Sequence, residues 1–276
     1  MGNSCRYGYR LILICVLLFL LASLAVAADA NAPLENQINS GEPLWLASLK
    51  TDFGRFPDSF ISGTADTFTK KDNLFLLALA GAASVVMNNT DADESIQDNV
   101  RHHRTFRGFS DESLNIIGYP ATQFSATAIW YLAAAGNNDQ LNRNRAYTMI
   151  TALAIDGVVT TGLKAARDEP SPNNRGWGWP SGHTSSSFTF ASVLDEYYGP
   201  TVGIPAYAVA SLIGYRMVDT DDHWTSDVIF GATLGWVVGH TIANEKKDLE
   251  FAGFKIVPVF PAAEKSAFGI SLVKRF

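Results

Sequence analysis

Trp179-Pro180-Ser181-Gly182-His183-Thr184-Ser185-Ser186-Ser187 is followed, 40 residues beyond its histidine, by Asp221-Asp222-His223-Trp224-Thr225-Ser226-Asp227. In the first stretch Pro180 and Gly182 make a tight turn, and the hydroxyl residues begin a helix. A helix N-terminus with free N–H groups is a ready anion site. His183 stands at that site, where it can give a proton to a leaving oxygen. In the second stretch His223 and Asp227 are four apart, so a helix would carry both on one face. A carboxylate bonded to one imidazole nitrogen fixes the tautomer and leaves the other nitrogen as base or nucleophile. A third patch precedes both: Lys164, then Arg167-Asp168-Glu169-Pro170-Ser171-Pro172. By itself it reads as cations complementing the end of a helix.

Working outward, these strings border apolar segments of helical length. Residues 74–87, 146–166, 204–217 and 228–243 are the most apolar, with a shorter, more polar 120–135 and a segment from 184 to 198. Ala, Leu and Gly dominate them and β-branched runs are short, which favours helix over strand. The expectation is all-α, a bundle of about six core helices, with the helical domain at 66–247. Residues 28–65 read as a loose lead-in with one short helix. The tail, 248–276, reads as a short C-terminal β hairpin packed on the bundle, its strands near 254–260 and 268–272. A membrane span needs roughly 20 mostly apolar residues, and shorter runs more often mark core helices. Asp156 and His240 interrupt the longer runs, and the mean hydropathy is only +0.06. These features point to a soluble or peripherally attached bundle.

The N-terminus points to export. Arg6 and Arg10 precede an apolar run, 11–26, that ends in the small-x-small triplet Ala25-Val26-Ala27, so residues 1–27 read as a signal peptide. Cys5 and Cys15 are the two cysteines of the chain and both fall inside it, which leaves a mature chain without disulfides or thiolate chemistry. A net charge of −6 makes nucleic acid an improbable partner, because phosphate contacts need a basic face. No metal-ligand cluster stands out. His102-His103, between Arg101 and Arg104, reads as a surface loop.

Taken together, the three patches resemble the type 2 phosphatidic-acid phosphatase and vanadium haloperoxidase superfamily. Its motifs are Lys-x6-Arg-Pro, Pro-Ser-Gly-His and Ser-Arg-x5-His-x3-Asp. Here they read Lys164 to Pro172, Pro180 to His183, and Arg216 to Asp227, in the same order and spacing. The resemblance implies the acid phosphatase/vanadium haloperoxidase-like bundle and a metal-independent phosphoric monoester hydrolase without a cofactor. His223 would attack phosphorus to form a phosphohistidine, Asp227 would orient it, and His183 would protonate the leaving alcohol. Lys164, Ser181 and Gly182 would hold the phosphate oxygens.

Two positions depart from the pattern. Met217 stands where the family has its third-motif arginine, and Ser171 (or Glu169, read with a gap) where it has its first. Arg167, Arg175 or Arg216 would have to substitute from shifted positions. The expected protein is an exported phosphatase of the periplasm or cell envelope, acting on a lipid or small organic phosphate and touching the membrane peripherally. Trp177, Trp179 and the stretch Phe106 to Phe109 are candidates for an acyl groove. The alternatives are a catalytically impaired envelope protein that binds a phosphate-bearing ligand, and a vanadium-dependent haloperoxidase.

Overall fold

The computed structural model describes residues 43–246 and the strand segments Glu250–Phe251, Phe254–Val259 and Gly269–Val273. The expected signal peptide lies outside the described residues. Nine helices are seen among them: α1 (Leu44–Thr69), α2 (Lys71–Asn88), α3 (Ala92–His102), α4 (Phe109–Gly118), α5 (Pro120–Gly136), α6 (Gln140–Arg167), α7 (Gly182–Tyr198), α8 (Pro200–Asp219) and α9 (Thr225–Lys246).

Local chemistry accounts for the boundaries. Asp139 caps α6 by accepting from the Asn142 N–H at 3.0 Å, and the helix ends at Asp168 in the left-handed region. Gly199, at φ 70°, closes α7, and Pro200 opens α8 where its missing N–H costs nothing. Met149, Leu153 and Ile155 of α6, Val193 of α7, and Leu234, Val238 and Ile242 of α9 form the main apolar cluster.

At the centre α7 and α9 run parallel and very close. A Cβ added to Gly231, Gly235 or Gly239 would sit 2.7, 2.0 and 2.6 Å from the carbonyl oxygens of Ser181, Ser185 and Thr189. The four-residue repeat on both helices keeps these small residues on one seam. Across it Thr189 Oγ1 donates to the Gly235 carbonyl (3.2 Å) and Ser192 Oγ to that of Trp236 (3.3 Å). The contact brings the N-termini of α7 and α9 together, with the C-terminal ends of α6 and α8 beside them.

The six expected core segments correspond to α2, α5, α6, α7, α8 and α9. The lead-in differs. Instead of one short helix, α1 spans 26 residues and runs across position 65. Its Pro57, Gly54 and Gly63 read as turn signals, but burial of Phe56 and the seat of Ile242 against Gly63 override them. His102 ends α3 and His103 caps it, so the pair is exposed at a helix end and not in a loop. In the tail the three strand segments, β1 to β3 in chain order, pair antiparallel in the order β1-β2-β3. The turn expected between the last two lies outside the described residues, and among the described residues no helix forms an extensive interface with these strands. Of the expected fold, the all-α bundle is what the described residues bear out; the packing of a C-terminal hairpin on it is not.

Among the described residues two helices, α6 and α8, are long and apolar enough to cross a membrane, and the bent pair α2–α3 would make a third span. Asp156, which weighed against a span in α6, is fully buried and accepts a hydrogen bond from Ser185 Oγ. Large apolar side chains such as Phe75, Leu79, Ile129, Ile204 and Leu212 point outward from α2, α5 and α8.

Candidate active site

The ends of four helices converge on the residues singled out above. Lys164 lies in the last turn of α6, completely buried, and its Nζ donates to the carbonyls of Trp177 (2.6 Å) and Gly178 (3.2 Å). Ser181 is the N-cap residue of α7; its N–H donates to the Asp227 carbonyl at 3.1 Å, and its hydroxyl pairs with that of Thr184 at 2.9 Å. Gly182 and His183 open α7.

His223 is not on a helix; it sits in the turn after α8, its N–H donating to the Met217 carbonyl at 3.0 Å. Asp227 is in the first turn of α9. Its Oδ2 accepts from the Trp224 N–H (3.0 Å) and lies 3.3 Å from His223 Nδ1. One carboxylate thus closes the helix start in the manner of a capping box and reaches the imidazole. With Nδ1 occupied, Nε2 of His223 is the nitrogen left for chemistry.

Burial pushes the His183 imidazole down to about 3, and the cationic charges of His223, Arg216 and Lys164 push the same way. His223 is also lowered, first by burial, against the raising influence of its hydrogen bond to Asp227. Both of its ring nitrogens being buried, His183 has no hydrogen-bond partner among the described residues, and the Tyr119 ring lies 5.5 Å away. A site that disfavours imidazolium this strongly is one that an incoming anion would relieve.

The candidate arginines separate. Arg216, 8% exposed, donates from Nε to Asp111 Oδ1 and from Nη1 to Asp222 Oδ2, both at 2.7 Å. Its charge is felt at His183. Met217 is buried in the bundle. Arg167 instead pairs with Glu169 at 2.6 Å and lies over the Trp179 ring. Arg175 is half-exposed, 3.7 Å from Asp222. Lys164, Ser181, Gly182, His183, Arg216, His223 and Asp227 therefore share one end of the bundle; Arg167, in the same last turn as Lys164, is turned to Glu169 and Trp179, and Arg175 reaches the other oxygen of the Asp222 carboxylate that holds Arg216.

Sequence reasoning gave Asp222 and Asp111 no role. Asp222 accepts from Arg216, Thr220 and Asn173, and its place beside His223 was the signal available. The expected acyl groove does not form around Trp179, which packs on Phe230 and donates to Ser84 Oγ at 3.0 Å. Phe106 packs edge-on against Tyr215, and Phe109 is exposed. No group of three His, Cys, Asp or Glu side chains suited to a metal ion occurs among the described residues.

The comparisons with known proteins agree with the motif reading. Residues 160–248 match the model of the PAP2 superfamily, so the resemblance read from the sequence is shown across the three motifs. Lipid A 1-phosphatase of Porphyromonas gingivalis is 39% identical over 64 residues, which are 22% of this chain and 14% of that protein. The match thus spans about a seventh of the curated relative's length. The crystal structure of a transmembrane PAP2-type phosphatidylglycerolphosphate phosphatase from Bacillus subtilis shares the fold, with a TM-score of 0.52 and 18% identity, covering 64% of this chain and 94% of that one. Aquifex aeolicus LpxE aligns at a TM-score of 0.49 and 18% identity over 56% of this chain and 97% of its own.

Proposed function

We propose that this chain, with its PAP2 segment at 160–248, is a membrane-seated phosphatase that hydrolyses the phosphate monoester of a phosphorylated lipid through a phosphohistidine. The observation that carries the reading is the contact of His223 Nδ1 with Asp227, in a site whose second histidine, His183, has both ring nitrogens buried and is lowered by the charges of Arg216 and Lys164. Nε2 of His223 attacks phosphorus and the P–O ester bond breaks, its electron pair leaving with the alkoxide. His183 supplies the proton to that oxygen. Neutral while the site is free of phosphate, it gains its proton as the substrate's charge offsets Lys164 and Arg216. Water then attacks the phosphohistidine, giving its proton to His183 and releasing phosphate. Lys164, Arg216, the Ser181 hydroxyl and the Gly182 N–H meet the charge on the transferring group.

The lipid substrate is favoured by the α6 and α8 spans, by the apolar outer faces of α2, α5 and α8, and by the lipid phosphatase relative. Residues 1–27, read as an export segment, would deliver the site to the periplasm or cell envelope.

Phosphate release from p-nitrophenyl phosphate and phosphatidate, in detergent with EDTA, tests the reading on wild type and His223→Ala. Turnover that the substitution abolishes supports the metal-independent histidine mechanism. Equal inertness of both proteins on both substrates and on a polyprenyl diphosphate replaces it with the reading as a phosphate-ligand-binding protein.

A further inference from the structure

Arg101-His102-His103-Arg104-Thr105-Phe106-Arg107 carries three arginines and two histidines, and no acid stands between Asp98 and Asp111. The stretch runs from the end of α3 toward the start of α4, and every residue in it but Phe106 is exposed. The proposed hydrolysis uses none of it, yet it is fastened at the catalytic end of the bundle. Both oxygens of the buried Asp219, at the end of α8, accept from its backbone: from the Thr105 N–H at 2.8 Å and the Phe106 N–H at 2.9 Å. Arg101 Nε donates to Asp221 Oδ1 at 2.7 Å. Asp219 and Asp221 lie four and two residues before His223.

These anchors sort the cations. Arg101 is matched by Asp221 and, at 3.8 Å, by Asp98. The two histidines turn back on their own helix, their Nδ1 atoms donating to the Asp98 and Asn99 carbonyls at 2.6 and 2.9 Å. Arg104 and Arg107 are left exposed, with no carboxylate partner among the described residues. Phe106 packs against Tyr215 at 5.7 Å, and Thr105 Oγ1 lies 3.2 Å from the Tyr215 hydroxyl. Tyr215 is itself exposed, one helical turn beyond Leu212 on the outward side of α8. The loop therefore sits where the apolar side of α8 ends. Phe109, 89% exposed, follows it directly, and Ile116 and Ile117 of α4 are exposed as well.

We infer that the loop carrying Arg104 and Arg107 is a docking surface for the anionic headgroups of the surrounding lipid. Charge complementarity names the occupant: exposed cations bordered by a tyrosine and exposed apolar side chains match a phosphate-bearing headgroup layer over an acyl core. A guanidinium meets phosphate oxygens through paired N–H donors. Fixing of the loop backbone by Asp219 lowers the ordering cost of that contact. The inference rests on the membrane seating proposed above and not on the hydrolysis.

The full chain in detergent is given equal amounts of phosphatidylglycerol and phosphatidylcholine with the same acyl chains, separated from free micelles, and its bound lipid quantified. Phosphatidylglycerol should be enriched, and the enrichment should fall about fivefold in Arg104→Gln and in Arg107→Gln. Lys71→Gln removes the same charge at the start of α2, where Asn73 bonds Thr241 near the far end of α9, and should keep the enrichment. In the wild type the enrichment should also fall as salt rises from about 0.05 to 0.5 M, which tests the inference even where a melting curve shows that a variant does not fold. No enrichment, an equal loss in Lys71→Gln, or insensitivity to salt overturns the inference. Displacement of phosphatidylglycerol by excess inorganic phosphate at constant ionic strength also overturns it, by making free phosphate the occupant. Retention of neither lipid overturns the membrane seating with it, whereas equal retention of both overturns the inference alone.

Discussion

At the residue scale, the departure at Met217 makes Arg216 the test of the proposed phosphate site. It is one residue from the family position, and it is buried between Asp111 and Asp222 with its charge reaching His183. Replacing it by alanine removes a charged donor, typically worth about 1.5–3 kcal/mol, so kcat/KM should fall roughly 10- to 100-fold, with Arg216→Lys recovering part. Arg167→Ala should change kcat/KM by less than about threefold, since that guanidinium serves Glu169 and the Trp179 ring and a partly exposed pair is worth little. Steady-state kinetics on both variants separates the two arginines. The histidines set a pH dependence of definite sign. Both are lowered in the folded protein, His183 to about 3, so the unfolded chain takes up protons first as pH falls below the ordinary histidine value of about 6.5. Their contribution to stability is complete above that value and is lost progressively toward pH 3. The melting temperature in detergent should fall across this window, and His183→Gln should flatten the fall. Binding of a phosphate analogue such as vanadate opposes the effect, and should take up a proton and tighten between pH 7 and pH 5. Calorimetry in buffers of different ionisation enthalpy reads that proton.

At the element scale, the seam between α7 and α9 is what brings the two motif histidines to one end of the bundle. An alanine Cβ at Gly235 would lie 2.0 Å from the Ser185 carbonyl oxygen, a backbone atom that cannot rotate away. Gly235→Ala should therefore destabilise the fold by about 1–3 kcal/mol, the range for overpacking, and lower activity by separating the helix starts. Gly162→Ala, in the interior of α6 with open space around the added methyl, should have the opposite sign and stabilise by about 0.5–1 kcal/mol. Thermal melts of the two variants check the contrast. The same seam marks what sequence could and could not deliver. The six apolar helices were legible because helical length and composition survive in one dimension. The polar strings were legible because a proline–glycine turn and a His-x3-Asp spacing are local. Helix α1 was hidden because its turn-like Pro57 and Gly54 are outvoted by burial of Phe56, a tertiary effect. The Gly231, Gly235, Gly239 repeat was present but unread, since its meaning depends on which helix lies opposite. Arg216 was legible as a candidate, whereas Asp111 lies 105 residues away and carried no local sign of its role.

At the scale of the whole molecule the question is where the bundle sits. α8 has 20 residues, ~30 Å at 1.5 Å per residue, which equals the hydrocarbon thickness of a bilayer. Its outward side presents Val202, Ile204, Val209 and Leu212, and α2 and α5 continue the apolar surface through Phe75, Leu79, Val86, Ile129 and Leu132. An apolar belt of this extent would aggregate a soluble monomer. Within a bilayer the same belt faces lipid, and the inward polar groups are satisfied against one another, as Asp156 is by Ser185 and Thr189 is by the Gly235 carbonyl. The membrane expressed with the full chain should therefore retain the protein through a sodium carbonate wash and release it only with detergent. Recovery in the carbonate supernatant would return the bundle to peripheral attachment. A substitution sharpens the test: Leu212→Glu, on the exposed side of α8, places a charge where the span would meet lipid, at a cost of several kcal/mol near the bilayer centre. It should deplete the membrane fraction while leaving intact the packing of the buried Ile213 and Gly214. Equal recovery of Leu212→Glu and wild type in the membrane fraction would show that α8 does not face lipid, leaving α6 and the bent α2–α3 pair as the spans to examine.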